Sequence, residues 1–555
     1  MLASRHPPAR PSPAPRPDDA QRRPINPAVM RTGATMVGKR IALVVGAAVL
    51  ALTAACSGQG TTAGGAGNEG APKSGGRLTM AISYDPAPLD PLDLISPADR
   101  QAAAAVYEPL VQLDQKGRLV PGLALSWKST DAKDWTVALR PGVTFSDGTP
   151  FNAAAVVTNF ERAQASKTCS SCASALSALD KVTAKDDLTV QFVLKTPLAS
   201  FPAMLNDTYA NMVSPAALRK YGDDIGKHPV GTGPFIMTAR NAQGLTFKKN
   251  PKYWAPGKPY LDGLEMRIVP DAQGELAGAQ AGDLDILTNT SDVMNNQAGS
   301  NPQMRVISVS GLGTNQIFLN NAQKPFDNVK ARQALAMATD REALLKLSHP
   351  GGRYERVDGP WPSGMPITGG AVSSKFPAFD IARAKQLVAE VGGISFTLET
   401  YNIAGFPQQA QALQAMWAKA GIKAQIRLAD TSTVIADANA QRTQAVITTW
   451  SGRPDPDLNS WRFLHSSAKS PAAVNDPQLD ALLVQGRSSV DPKVRKEAYQ
   501  KLVDRIGEIV PVVYFDGLKK SVIVNSGTVG GATPPPDGTV QPAGIWRRSG
   551  GTNAN

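Results

Sequence analysis

"DWTVALRPGVTFSDGTPFNAAAVVTNFER", Asp134 to Arg162, changes period halfway along. "DWTVAL" alternates apolar and polar residues as a strand does, and Asp147-Gly148 is a turn dipeptide, so the first half reads as a hairpin. "NAAAVVTNFER" then repeats its apolar residues at helical spacing. Outward from it the same alternation returns. "RLTMAISY" (77–84), "AQIRLA" (424–429) and "AVITTW" (445–450) read as strands. "VKARQALAMATDREALLKL", "DIARAKQLVAEVG" and "FPQQAQALQAMWAKAG" read as helices, two of them ending at Gly392 and Gly421 as C-caps do. Strands that follow helices directly mean an α/β protein, and no repeat of solenoid length is present.

The formal charge of +12 in 555 residues is not a nucleic-acid signal once it is located. Residues 1–56 hold Arg5, Arg10, Arg16, Arg22, Arg23, Arg31, Lys39 and Arg40 against Asp18 and Asp19 alone, and no basic block interleaved with aromatics follows. "KRIALVVGAAVLALTAAC", Lys39 to Cys56, joins a short basic region to an apolar run too short to span a bilayer. It reads as a signal peptide, and its "LTAAC" end resembles a lipobox, which makes Cys56 the expected site of lipidation. Thr53 stands where that motif usually has leucine. An ordinary secretory signal is the alternative. Met30 or Met36 is the expected initiator. The Gly/Ser/Thr-rich stretch 57–76 reads as a flexible tether.

Cys169 and Cys172 are the other two cysteines. A redox pair would want a strand before it and a helix after it, and zinc would want a second pair of ligands, so a structural disulfide is expected. The four histidines, His6, His228, His349 and His465, have no His or carboxylate at metal spacing and no nucleophile motif beside them. No catalytic residue, metal or cofactor is expected. Gly231-x-Gly233 lacks the third glycine of a dinucleotide loop and reads as a turn before a strand. In "WSGRPDPDLNSW", Trp450 to Trp461, the two aspartates read as a helix start: Asp455 as N-cap, Pro456 at N1, Asp457 in the first turn. Carboxylates engaged in capping make poor acid–base catalysts.

Several longer stretches act together: "VYEPLVQLDQKGRLVPGLALSW" (106–127), the 134–162 segment, "HPVGTGPF" (228–235), "FKKNPKYWAPGKPYLDGLEMRIVPD" (247–271), "FLNNAQKPFDNVKARQALAMATDR" (318–341) and "DPQLDALLVQGRSSVDPKVRKEAYQKLVDRIGEIVPVVYF" (476–515). In this order the chain resembles the family 5 extracellular solute-binding proteins, the oligopeptide- and dipeptide-binding receptors of ABC importers, from about Arg77 to about Ile545. The resemblance implies a two-lobed periplasmic-binding-protein fold with an additional domain, the class II, three-domain peptide-binder type. Projected onto this chain, domain I comprises 77–108, 226–311 and 512–555, domain II is 109–225 and domain III is 312–511.

The resemblance also implies the function: capture of a peptide or peptide-like solute between two lobes by a monomer, and delivery to ABC permease subunits. A lipid anchor would hold the protein at the outer face of the cytoplasmic membrane. Trp450 matches a tryptophan on the strand along the bound ligand, and Tyr401-Asn402 matches a loop that contributes an asparagine. Tyr514 falls near a cleft aromatic, and Ile95 and Ser96 fall near an N-terminal contact. Arg453 departs from the pattern, because the peptide binders carry an aspartate there for the peptide's α-ammonium. An arginine suits an anionic or hydroxyl-rich solute instead. The alternatives are therefore a receptor for a non-peptide anionic or sugar-like solute and, from other classes, a sensory or adhesive surface lipoprotein or an extracytoplasmic hydrolase.

Overall fold

Two long antiparallel strands, Met304–Leu319 and Val512–Asn525, organise the structure. The computed structural model describes residues 71–548 apart from 170, 171, 173, 174 and 289; the leader, Met30, Met36 and Cys56 lie outside the described residues. The pairing runs from Met304–Asn525 to Ser310–Lys519, breaks register, and resumes from Thr314–Gly517 to Phe318–Val512. The break has a steric cause. A Cβ on Gly311 would lie 2.7 Å from the Leu518 carbonyl oxygen, so the two backbones approach there only because glycine stands at that position.

On one side of the break the sheet continues through Ile286–Leu287, Arg77–Ile82, Gly263–Ile268, Gly244–Lys249 and Phe235–Asn241. On the other it continues through Ala445–Trp450, Ser395–Tyr401 and Lys423–Ala429. Each half buries its own core. The first gathers Leu78, Met80, Phe235, Phe247, Leu264, Val522 and Val524. The second gathers Ile317, Phe326, Leu398, Trp417, Ile447, Val513 and Phe515. Val513 and Phe515 fill this second core, Val512 and Tyr514 a neighbouring one, and Val522 and Val524 the first, so the strand Val512–Asn525 serves both halves.

A separate four-stranded sheet, Ala124–Lys128, Asp134–Leu139, Leu179–Asp186 and Thr189–Leu194, falls inside 109–225 and has a third core. Trp135, Val137 and Leu139 point inward by alternation, against Val190, Phe192 and Leu194. The expected hairpin is different in kind. Asp134–Leu139 pairs with Ala124–Lys128 and Thr189–Leu194, while Asp147-Gly148 closes a tight loop between Thr144 and Pro150. Gly148 has φ +87°, and Pro150 lacks the N–H that a second ladder strand would use. Asn152 then caps the helix Ala153–Ala165, accepting from the Ala155 N–H. Cys169 and Cys172 are joined by a disulfide at the edge of this core.

"VKARQALAMATDREALLKL" forms two helices, Val329–Met337 and Arg341–Ser348. Asp340 starts the second by accepting from the Ala343 N–H, so it does not share a helix with Arg332. Asp455 caps Pro456–Leu464 as expected, accepting from the Asp457 N–H at 2.9 Å.

Candidate ligand-binding site

Two adjoining chambers lie where the sheet's halves meet, the smaller of them also walled by the 109–225 region. The larger encloses about 290 Å³ and the smaller about 80 Å³, and Arg100, Gly452, Asp537 and Thr539 line both. Four of the segments that supply the charged walls are distant from one another in sequence. Each is held by a local device.

The first is the helix Pro97–Val106. Ser96 accepts from the Asp99 N–H while the Asp99 carboxylate accepts from the Ser96 N–H, a capping box that sets the helix start and with it Arg100. The second is the turn after Trp450. Gly452 has φ +82° and lies against Leu312, where a Cβ would approach the Leu312 backbone to 2.2 Å. The third contains Asp207, ahead of the short helix Thr208–Ala210. The fourth is the turn Pro534-Pro535-Pro536-Asp537-Gly538, in which Asp537 accepts from the Thr539 N–H at 2.9 Å.

Arg453 does not offer a free cation. Its Nε lies 3.1 Å from Asp207 Oδ2, its backbone N–H donates to Asn459 Oδ1, and its guanidinium lies 5.2 Å from the Trp450 ring centroid. Arg100 approaches the same aspartate at 3.7 Å. Burial pushes the Asp207 carboxyl up, but the Arg453 and Arg100 guanidiniums outweigh this and hold it below the usual carboxylate range. Arg453 therefore carries its own counter-charge, which it shares with Arg100. Asp537 and Lys520 stand in the opposite condition. Both face a chamber that protein encloses, and burial pushes the carboxyl up and the ammonium down. Glu108, on the wall of the smaller chamber, is pushed up to about 7 by burial although Trp254 Nε1 (2.6 Å) and Tyr253 Oη (2.8 Å) donate to it.

The expected site residues separate into two groups. Ile95 lines the larger chamber, 80% exposed, and Arg453 lines the smaller. Ser96 caps its helix beside them. Trp450 is half-buried behind Arg453, with Nε1 donating to Asn459 Oδ1 at 2.6 Å and its ring edge-on to Phe463. Tyr401 and Tyr514 are core residues outside both chambers, at 9% and 2% exposure. Asn402 is exposed, and its backbone N–H donates to the Ala429 carbonyl. Tyr401→Phe, which removes only the bond to Thr448 Oγ1 (2.9 Å), is expected to cost about 1 kcal/mol in a urea melt. A tenfold loss of solute affinity in that variant would instead put the hydroxyl on the ligand.

Sequence reasoning missed Arg100, Asp207, Lys520 and Asp537. "PPPDGT" was a usable signal, since three prolines and a glycine fix the aspartate between them. Asp207 carried none.

The profile "Bacterial extracellular solute-binding proteins, family 5 Middle" matches residues 118–471. The chain is 31% identical over 469 residues to the glutathione-binding protein GsiB of Pectobacterium atrosepticum, covering 81% of this chain and 90% of that protein. It is 32% identical over 454 residues to GsiB of Escherichia coli (strain K12), covering 78% and 87%. Among solved structures, AgaA from A. tumefaciens R10 in complex with agropinic acid superposes with a TM-score of 0.72 at 28% identity, over 85% of this chain and 99% of AgaA. HbpA2 from Haemophilus parasuis gives 0.75 at 25%, over 85% and 100%. The fold is that of these two-lobed receptors, and the chain belongs to the family 5 extracellular solute-binding proteins, extracytoplasmic binding components of ABC importers that transport peptide-type solutes and are not enzymes.

Proposed function

We propose that the chain captures a short peptide or peptide-like acid in the two chambers and delivers it to the permease subunits of an ABC importer. It does so as a monomer held by a lipid on Cys56 at the outer face of the cytoplasmic membrane. The observation that carries the reading is the convergence of Arg100, Asp207, Arg453 and Asp537 on one enclosed space from regions that the resemblance assigns to different domains. A solute touching all of them stabilises the arrangement in which the lobes are together, and that is how a ligand shifts a hinge equilibrium. The glutathione-binding relatives support a small, charged peptide-like solute.

A second reading, a hydroxyl-rich acid, has its own observation. Ser83, Tyr84, Thr288, Thr290, Ser521 and Thr539 all line the larger chamber, and AgaA was solved with agropinic acid. One thermal-shift panel separates the two: glutathione, di- to octapeptides, sugars and opine-like acids. The bound solute at 100 times its Kd is expected to stabilise the protein by about 2.7 kcal/mol. A panel in which no solute raises the melting temperature overturns the receptor reading.

A further inference from the structure

The 109–225 region is fastened to the first half of the molecule. The Arg162 guanidinium pairs with Asp90, the Ser146 N–H donates to the Gly231 carbonyl at 2.9 Å, and the Ser214 N–H donates to the Val230 carbonyl at 3.0 Å. Toward the second half it makes a different kind of joint. Ala199 and Ser200, two consecutive residues, meet the ends of the helices Pro456–Leu464 and Pro477–Ser488. The Ala199 N–H donates to the Arg487 carbonyl at 2.7 Å, and the Ser200 hydroxyl donates to Asp457 Oδ2 at 2.8 Å. Leu458, next to Asp457, packs against the core of the 109–225 region.

Both bonds take groups away from their usual local use. A serine ahead of a helix ordinarily caps it, yet Ser200 makes no side-chain bond to the helix Phe201–Met204 that it precedes. Its hydroxyl is directed across the joint instead. The Arg487 carbonyl is among the last of its helix, where no partner exists within the helix, and the Ala199 N–H supplies one.

Asp457 suits a joint that opens. The Arg487 guanidinium holds both its oxygens, at 2.9 and 3.1 Å, and lies 3.6 Å over the Trp461 ring, all within the second half. Ser200 and Asp457 are both 0% exposed. When the lobes part, Asp457 loses the serine but keeps its counter-charge, so no unpaired buried charge is left behind. The joint also sets the wall of the smaller chamber. Asp207 follows Ser200 through the helix Phe201–Met204, and Arg453 precedes Asp457 through Pro454-Asp455-Pro456, so the bond between Ser200 and Asp457 brings Asp207 opposite Arg453.

We propose that Ala199-Ser200 against Asp457 and Arg487 is a latch between the lobes. It holds them together in the absence of solute, positions Asp207 against Arg453, and slows the exit of a bound solute. None of the four residues lines either chamber, so the latch acts through the lobes and not on the solute. Its effect on exit rests on the receptor reading; its effect on the lobes does not.

Small-angle scattering on the full chain without solute reads the latch directly. Ser200→Ala removes the donor. Ser200→Asp retains a residue that helix starts favour but sets a carboxylate against Asp457. Both are expected to raise the radius of gyration, Ser200→Asp further, and excess glutathione is expected to bring Ser200→Ala back toward the parent's value. In stopped flow, glutathione is expected to leave Ser200→Ala about tenfold faster than the parent and to enter at least as fast. Radii equal to the parent's, even with a lower melting temperature, overturn the latch and leave the receptor reading intact. An unchanged dissociation rate overturns it equally. If glutathione binds none of the proteins, the scattering comparison decides the latch alone, and the wider solute panel decides the receptor reading.

Discussion

Arg495→Ala is expected to destabilise the protein by about 3–5 kcal/mol, read from the midpoint of a urea melt. Arg495 donates to both oxygens of Asp455, at 2.7 and 2.9 Å, and both side chains are 6% exposed. Its Nε also donates to the Gly486 carbonyl and its Nη2 contacts Tyr499 Oη. Burial alone would lower the arginine's pKa, yet Asp455 outweighs it and drives the value up. Removing the guanidinium leaves Asp455 buried, charged and bound only through its capping bond, which is why truncating one partner costs more than the pair contributes. The double variant Asp455→Asn with Arg495→Leu is therefore expected to lose less than Arg495→Ala does. A loss below about 1 kcal/mol for the single change would show the pair to be dispensable. The effect reaches the site, because the helix that Asp455 starts carries Asn459, which holds both Trp450 Nε1 and the Arg453 N–H.

The second large effect is a fall in stability with rising pH centred on His349. Its Nδ1 lies 2.7 Å from Asp292 on the helix Asp292–Gly299, and its Nε2 lies 3.1 Å from Asp516 on the strand Val512–Asn525. Tyr354 stands beside the ring at 6.0 Å and is itself bonded to Glu342. The bonds to Asp292 and Asp516 outweigh burial and raise the histidine to about 9 from an ordinary 6.5. A folded-state value above the unfolded one stabilises fully below pH 6.5 and is lost as pH rises through 9. The whole contribution is about 3 kcal/mol. Between pH 6 and pH 9.5 the melting temperature of the parent is expected to fall, and His349→Gln is expected to flatten that slope. Equal slopes would sink the assignment. The pair spans the lobes, since Asp292 and His349 belong to opposite halves of the sheet.

How much of this was legible in the sequence depends on how far apart the cooperating residues lie. The Asp455 cap, the Asp147-Gly148 turn and the helix ends at Gly392 and Gly421 are decided within a few residues, and each is present. The break between Met337 and Arg341 was missed because Ala-rich helical spacing continues across it, while Asp340 ends the run by capping. Tyr401 and Tyr514 were ambiguous in principle, because a ring with a polar edge suits a cleft and a core equally. Arg453 was found from its position, but not its neutralisation: Asp207 lies 246 residues earlier, and no local pattern joins them. Lys520 and Asp537 were invisible for a related reason. What marks them is a shared chamber wall, which exists only in three dimensions.

The two long strands also settle an order of assembly. Arg77–Ile82 has Ile286–Leu287 and Gly263–Ile268 as neighbours, and Ile286–Leu287 in turn needs Val524 and Ile523. The first core therefore stays open until almost the last residues of the chain arrive, since Val522, Val524, Val540 and Ile545 all fill it. The four-stranded sheet of 124–194 is by contrast continuous in sequence and has all its partners early. Contacts of such long separation close slowly. A chain threaded outward from its N-terminus thus builds its inner module first and its frame last: the opening strand waits for Gly263–Ile268, and the core beneath it for the far end.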